Sequence, residues 1–225
     1  ESPAKLGKFI YSHKVTNRHQ EKDIRVNLFI PSILSWKEEG VELIQQSRIP
    51  ESEQVDLTLN LKKKQKLILR IRKPDWTDKA TFIINGEEEQ PLLGSDGYWI
   101  IDRVWERKNV ITLRLPMHIY TENLTGTDRY VALLYGPYVL AGRMGKENLP
   151  TTFWGKMNNT AMNKMDMAKV PVFREPVERI PTHVEVVSGE PLKFGINLKG
   201  FEHIVLEPFY KVHFERYAVY WPITH

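Results

Sequence analysis

Cysteine is absent from the 225 residues of this chain, which excludes disulfide frameworks, thiolate metal sites and cysteine nucleophiles together. No apolar run approaches the roughly 20 residues that a membrane-spanning helix needs. An excess of one charge is also missing, because 32 basic and 28 acidic residues leave a formal net charge of only +4. The densest basic run, residues 62–64, is not interleaved with aromatic side chains that could stack on bases. We therefore predict neither a nucleic acid nor a membrane as a partner.

Recognisable catalytic motifs are missing as well. The sequence contains no G-x-S-x-G elbow, no P-loop and no dinucleotide-binding fingerprint. Its seven histidines are scattered, and no pair has metal-ligand spacing next to a suitable carboxylate. We predict no catalytic residue, no metal site and no cofactor within this chain.

Alternation of apolar and polar residues dominates the chain. Residues 55–61 alternate with a period of two, which is typical of a half-buried β-strand, and residues 67–72 do the same after the lysine run. These two segments predict a hairpin with residues 62–64 at its tip. Asn85-Gly86 predicts a second hairpin, since this dipeptide favours a tight two-residue turn. Helical periodicity is hardly sustained anywhere.

The predicted fold class is therefore all-β, with two packed antiparallel β-sandwich domains of a jelly-roll-like kind. The first sandwich is expected at residues 25–116 and the second at residues 117–225. Residues 145–170 lack periodicity and predict a long surface loop within the second domain. Residues 209–221 carry aromatics on both faces and predict a central strand.

Six tryptophans are the most natural candidates for a binding surface. Trp99 and Trp221 are embedded in predicted strands, where core filling is favoured. Trp76 follows a Pro-Asp pair and Trp154 lies in the predicted loop. These two residues are the candidate carbohydrate contacts, although core packing remains the simpler interpretation of each.

Acidic residues offer a second set of candidates. Asp96, Asp102 and Glu122 could contribute to a carboxylate pair of the kind that glycoside hydrolases use, but the sequence does not pair them. His213 and Glu215 are two residues apart on the predicted last strand, so they could form an acid/base pair. A polar pair that bonds to Lys211 or Arg216 is the favoured alternative.

Several segments together resemble the C-terminal part of the glycoside hydrolase family 127 group, the β-L-arabinofuranosidase-like proteins. The matching segments are residues 8–13 (KFIYSH), 26–32 (VNLFIPS), 69–74 (LRIRKP), 97–99 (GYW), 115–117 (LPM), 131–142 (VALLYGPYVLAG) and 209–217 (FYKVHFERY), with Tyr220 and Trp221. The resemblance covers nearly the whole chain.

The resemblance implies a larger, secreted or periplasmic parent in which an (α/α)6 barrel precedes two β-sandwich domains. In that family the barrel holds a zinc ion, a cysteine nucleophile and a glutamate acid/base. Since this chain has no cysteine, none of these roles transfers to it. Residues 1–24 are expected to be the tail of the missing barrel, and the natural chain is expected to begin upstream of Glu1.

We therefore expect non-catalytic C-terminal support domains of a glycoside hydrolase that acts on arabinose-containing plant glycans, with the catalytic barrel as partner. The alternative is a carbohydrate-binding module that docks the parent enzyme on polysaccharide. The resemblance also predicts an exposed, self-associating surface around residues 1–24.

Overall fold

The computed structural model describes Lys5, residues 7–16, residues 21–147, Leu149 and residues 169–224. The chain divides into two compact units, Glu1–Met117 and His118–His225. This division lies one residue from the boundary expected from sequence. Regular structure is almost entirely strand, which confirms the all-β class. Most of the predicted loop at residues 145–170 lies outside the described residues.

The first unit contains one short α-helix, α1 (Gly7–Ile10), a 3-10 turn at Lys37–Glu39 and eleven strands in its described part. The strands are β1 (Tyr11–Thr16), β2 (Glu21–Val26), β3 (Ser32–Trp36), β4 (Val41–Ser47), β5 (Gln54–Leu61), β6 (Gln65–Arg72), β7 (Thr81–Ile84), β8 (Glu87–Glu89), β9 (Leu92–Leu93), β10 (Tyr98–Trp105) and β11 (Lys108–Arg114).

These strands form two sheets with the orders β1-β2-β6-β10-β9 and β3-β4-β5-β11-β7-β8. All pairs are antiparallel except β2 and β6, which run parallel. The first sheet includes β1 and the start of β2, although the sequence assigned residues 1–24 to the tail of another domain. Strands β1 and β2 therefore form one edge of this sheet.

The core of the first unit lies between its two sheets. Leu57 and Leu59 of β5 and Leu69 and Ile71 of β6 are fully buried in one cluster, and these two strands belong to different sheets. Period-two alternation sends every second side chain of each strand into this layer. Each buried leucine or isoleucine contributes about 1.5–3 kcal/mol relative to an exposed one. This arrangement confirms a β-sandwich.

One predicted hairpin is right and another is wrong. Asn85 and Gly86 both have positive φ (52° and 92°) and join β7 to β8, as the sequence predicted. Residues 62–64 do not close a hairpin, because β5 pairs with β4 and β11 whereas β6 pairs with β2 and β10. The lysine run instead carries the chain from one sheet to the other.

The second unit contains eight strands in its described part, together with 3-10 segments at Val177–His183 and Phe209–Lys211. The strands are β12 (Ile119–Asn123), β13 (Tyr130–Tyr135), β14 (Tyr138–Arg143), β15 (Val184–Val186), β16 (Phe194–Ile196), β17 (Val205–Pro208), β18 (Tyr217–Ala218) and β19 (Tyr220–Pro222). They form one antiparallel sheet in the order β12-β13-β14-β17-β16-β15, with β18 on β14 and β19 on β13.

The core of this unit is centred on Trp221, which is fully buried. Its ring lies 5.9 Å from the rings of Phe173 and Phe201, and those two rings stack at 4.5 Å. Trp99, in the first unit, is 8% exposed. Both strand tryptophans are thus core residues, as expected.

The prediction of one long central strand at residues 209–221 is wrong. The segment begins as a 3-10 turn, passes through Phe214 with a positive φ of 54°, and then forms the two short strands β18 and β19. β18 pairs with β14 and β19 pairs with β13, so the segment lies between the diverging ends of that hairpin. Aromatic residues on both faces therefore reflect a change of partner rather than burial on two sides.

Candidate functional site

The two predicted carbohydrate contacts differ in what the structure says of them. Trp76 is half-buried and packs against the core of the first unit. Its ring is therefore shared between the core and the surface, and its role as a sugar contact stays a prediction. Trp154 lies outside the described residues.

His213 and Glu215 do not share a strand, because both precede β18. His213 is exposed, whereas the Glu215 side chain is only 5% exposed. Arg143 donates to both carboxylate oxygens of Glu215, from Nε to Oε1 and from Nη2 to Oε2, the latter at 3.2 Å. A carboxylate held in this bidentate way is an ion-pair partner rather than a free base. The partner is thus Arg143 of β14, which sequence reasoning missed.

The three carboxylates singled out from sequence occupy separate places. Asp96 lies 3.4 Å from Arg70 and 3.7 Å from Arg25, and Asp102 lies 3.3 Å from Lys66. Both belong to the first unit, whereas Glu122 is an exposed residue of β12 in the second unit. The first two are ion-pair partners of neighbouring cations.

A charged cluster covers part of the outer face of the first sheet. Asp23 is 8% exposed and accepts a hydrogen bond from Nε of Arg70 at 2.8 Å. The Arg25 guanidinium lies 3.9 Å from the same carboxylate and over the Tyr98 ring. Oδ1 of Asp23 is buried without a hydrogen-bond partner among the described residues. A buried anion beside two arginines is electrostatically compensated, so the cluster can stabilise the sheet without binding a ligand.

A second charged cluster lies on the sheet of the second unit. This Arg143 cluster consists of Arg143, Glu207, Glu215 and Lys193. Glu207 is 7% exposed and lies 3.6 Å from Arg143 and 3.7 Å from Lys193. The hydrogen bond to Glu215 raises the pKa of Arg143, and the negative charges of Glu215 and Glu207 reinforce it. Lys193 also forms an ion pair with Glu190, so two cations face three carboxylates and no positive charge is in excess.

A row of exposed rings, the aromatic row, lies beside the Arg143 cluster. It consists of Tyr130, Phe209, Tyr217 and Tyr220, which are 40–50% exposed. The rings of Phe209 and Tyr217 are 5.0 Å apart. Sequence reasoning missed this row because it assigned the whole segment 209–221 to a buried strand. The order of residues 217–221 could have revealed this row. Tyr217 and Tyr220 each stand directly before a core residue, Ala218 and Trp221 respectively.

Open clefts occur in both units among the described residues. One, of about 360 Å³, is lined in the first unit by polar residues that include Gln54 and Asp56. Asp56 already accepts hydrogen bonds from Gln54 and Thr112, at 2.8 and 2.7 Å. The other, of about 490 Å³, lies in the second unit between residues 171–175 and 198–201.

Metal ligands do not converge anywhere in the described part of the chain, where no three His, Asp or Glu residues are placed to hold an ion. The donor set present here therefore does not fit the zinc site that the family resemblance assigns to an upstream domain. Among the same residues, no helix is long and apolar enough to cross a membrane.

Comparisons with known families divide the chain at the same place as the structure. Residues 23–117 match the family described as the middle domain of GH127 β-L-arabinofuranosidase. Residues 120–223 match a family described only as a domain of unknown function. No match was found among curated proteins.

This chain is also similar to solved structures of glycoside hydrolases. A GH127 β-L-arabinofuranosidase from Geobacillus stearothermophilus T6 is 25% identical over 62% of this chain, with a TM-score of 0.54. A glycoside hydrolase and a GH127 β-arabinofuranosidase are 19% and 16% identical, each over 90% of this chain with a TM-score of 0.58, and these two show the fold alone. The chain spans only 22–36% of the length of these relatives.

Proposed function

We propose that this chain, which matches a GH127 middle domain followed by a domain of unknown function, is the non-catalytic support region of a longer hydrolase. The proposed parent cleaves arabinose-containing glycans outside the cytoplasm, with its chemistry and its zinc ion in an upstream catalytic domain. That domain is the proposed partner of the chain.

The observation that carries this proposal is the absence of cysteine from the whole sequence. The family resemblance assigns the nucleophile to a cysteine, and this chain contains none. Glu215, Asp96 and Asp102 are each held by a cation, so none is positioned to attack a sugar. A nucleophile or base must be free to act, and each of these three carboxylates is paired with a cation instead.

The small share of each solved relative that this chain covers is consistent with a support role. About two thirds or more of each relative lies outside the part that this chain matches. Two β-rich units with complete cores of their own can brace a neighbouring domain by adding buried surface at an interface. Secretion is proposed on the same family basis and does not depend on any feature of the fold.

The test is hydrolysis of an aryl β-L-arabinofuranoside by the purified chain. We expect release of the aryl alcohol at the rate of a heat-denatured sample of the same preparation. A longer polypeptide that includes the upstream domain should release the product in parallel reactions. Turnover by the chain alone that follows the folded protein through purification would overturn the proposal.

A further inference from the structure

In the sheet of the second unit, the register of the central strands shows which side chains lie on the outer face, away from the core. Val131 and Leu133 of β13 point into the core, so Tyr130, Ala132 and Leu134 point to the opposite face. Ala132 and Leu134 are 7% exposed although neither belongs to the core cluster. Both side chains are therefore nearly inaccessible, and the exposed surface of this face comes from their neighbours.

Those neighbours place a carboxylate and a ring on either side of a small residue. Ala132 is paired with Glu122 of β12 on one side and with Tyr220 of β19 on the other. Two strand spacings put the Glu122 and Tyr220 backbones roughly 10 Å apart. Tyr130 is the diagonal neighbour of Tyr220, at roughly 7–8 Å. A ring and an acceptor thus lie on either side of a small buried residue, within the width of one sugar residue and its hydroxyl groups.

The aromatic row extends this surface along the sheet. Tyr217 is paired with Arg143 and shares its outer face, while Ala218 of the next pair points to the core. Tyr217 and Tyr220 are three residues apart in the chain, so their Cα atoms are within about 10 Å. Phe209 adjoins Tyr217 at 5.0 Å. Four rings in sequence suit an elongated ligand better than a single small molecule.

The chemistry of the row favours a hydroxyl-rich ligand. Three of its four members are tyrosines, which combine an apolar face for stacking on C–H groups with a hydroxyl that can donate and accept. Contiguous exposed aromatic surface on a soluble unit marks an interaction site. The solvent-facing rings do not fill the core, which is complete around Trp221.

The charges beside the row indicate a neutral ligand. Arg143 and Lys193 are paired with three carboxylates, Glu215, Glu207 and Glu190, so these side chains offer no excess positive charge to a polyanion. Glu122 adds one exposed carboxylate, which accepts hydrogen bonds from hydroxyl groups and repels an acidic polymer. We therefore expect this surface to bind neutral glycans more tightly than acidic ones.

We propose that a neutral oligosaccharide chain binds to the outer face of the sheet in the second unit. The binding surface runs from Tyr130 and Glu122 through Tyr220 to Phe209. The choice of an arabinose-containing glycan as ligand rests on the proposed function. The binding site itself is independent of whether the chain hydrolyses anything. Each stacked ring contributes separately, and the ion-paired Arg143 cluster holds the strand that carries Tyr217.

The experiment is isothermal titration of the full chain with neutral linear arabino-oligosaccharides, repeated with Tyr220→Ala, Tyr220→Phe and Val186→Ala. Tyr220→Ala should weaken binding about three- to tenfold, the range expected for the loss of one aromatic contact. Tyr220→Phe keeps the ring and should retain most of the affinity. Val186 is 63% exposed on β15 at the far end of the same sheet, so Val186→Ala should bind like the original chain.

Oligogalacturonate is the acidic probe, and it should bind at least about tenfold more weakly at low salt. Absence of heat with arabino-oligosaccharides, with all variants showing unchanged thermal unfolding, would overturn the binding proposal and leave the non-catalytic function untouched. Equal affinity for the acidic probe would overturn the assignment of a neutral ligand. Arabinofuranosidase turnover by this chain would refute the proposed function without affecting the binding site.

Discussion

Gly142 of β14 allows the close approach of the Trp221 ring. A Cβ atom added at this position would lie 2.5 Å from Cη2 and 2.6 Å from Cζ2 of Trp221, and 3.1 Å from Cγ2 of Ile204. Carbon atoms in contact prefer about 3.5–4.0 Å, so the overlap with the indole is about 1 Å. Because Trp221 is fully buried between Phe173 and Phe201, the ring has little room to move.

Gly142→Ala should therefore destabilise the second unit by about 1–3 kcal/mol, the range for overpacked cores. For a unit of this size the midpoint of thermal unfolding should fall by about 5–20 °C. The perturbation is confined to residues 118–225, so calorimetry should show a shift in one unfolding transition while the transition of residues 1–117 stays in place.

Gly195→Ala is the matched control, because no atom lies within 4 Å of the Cβ position in this other strand glycine of the same sheet. We expect no loss of stability in the control. Trp221→Phe shortens the ring, so the double variant with Gly142→Ala should be more stable than the sum of the two single changes implies, by about 1 kcal/mol. An unchanged transition in Gly142→Ala, or simple additivity in the double variant, would refute the steric argument.

Two further changes test the electrostatics of the two units. Arg143→Met should lower the stability of the second unit by about 2 kcal/mol at pH 7, because the Glu215 carboxylate is buried without its partner. Calorimetry of both proteins at pH 7 checks it, and an unchanged transition in Arg143→Met would contradict the ion-pair assignment. Burial raises the pKa of Tyr11, and its hydrogen bond with Ser32 lowers it by less. The neutral phenol is thus favoured by folding, and its contribution is present below the unfolded pKa of about 10 and lost as pH rises through the folded pKa. Tyr11→Phe should therefore lose less stability than the original chain between pH 8 and pH 11 in urea unfolding, and equal losses would refute the assignment.

The sequence predicted which side chains face the core more reliably than which strands pair. Alternation along β5 and β6 places Leu57 and Leu69 in the core correctly, because the pleat alone decides the face. The same alternation says nothing about partners, and the two strands belong to different sheets. Asn85-Gly86 predicted its hairpin because the positive φ values of that turn restrict the residues that can form it.

The alternation of apolar and polar residues could not predict the aromatic row. Tyr217 and Tyr220 come from two short strands that bond to different partners, so a single period does not connect them. The bond between Arg143 and Glu215 spans 72 positions of sequence and depends on that change of partner. The family resemblance covered these residues but assigned them no role.

The proposed support role is tested most directly by thermal inactivation of the proposed longer hydrolase with and without the region that corresponds to residues 25–225. The half-life of arabinofuranosidase activity is measured at a fixed temperature for both proteins. Our account predicts that deletion shortens the half-life by about tenfold or more, because the catalytic domain loses the surface that braces it. Equal half-lives and equal initial activities would contradict a support role.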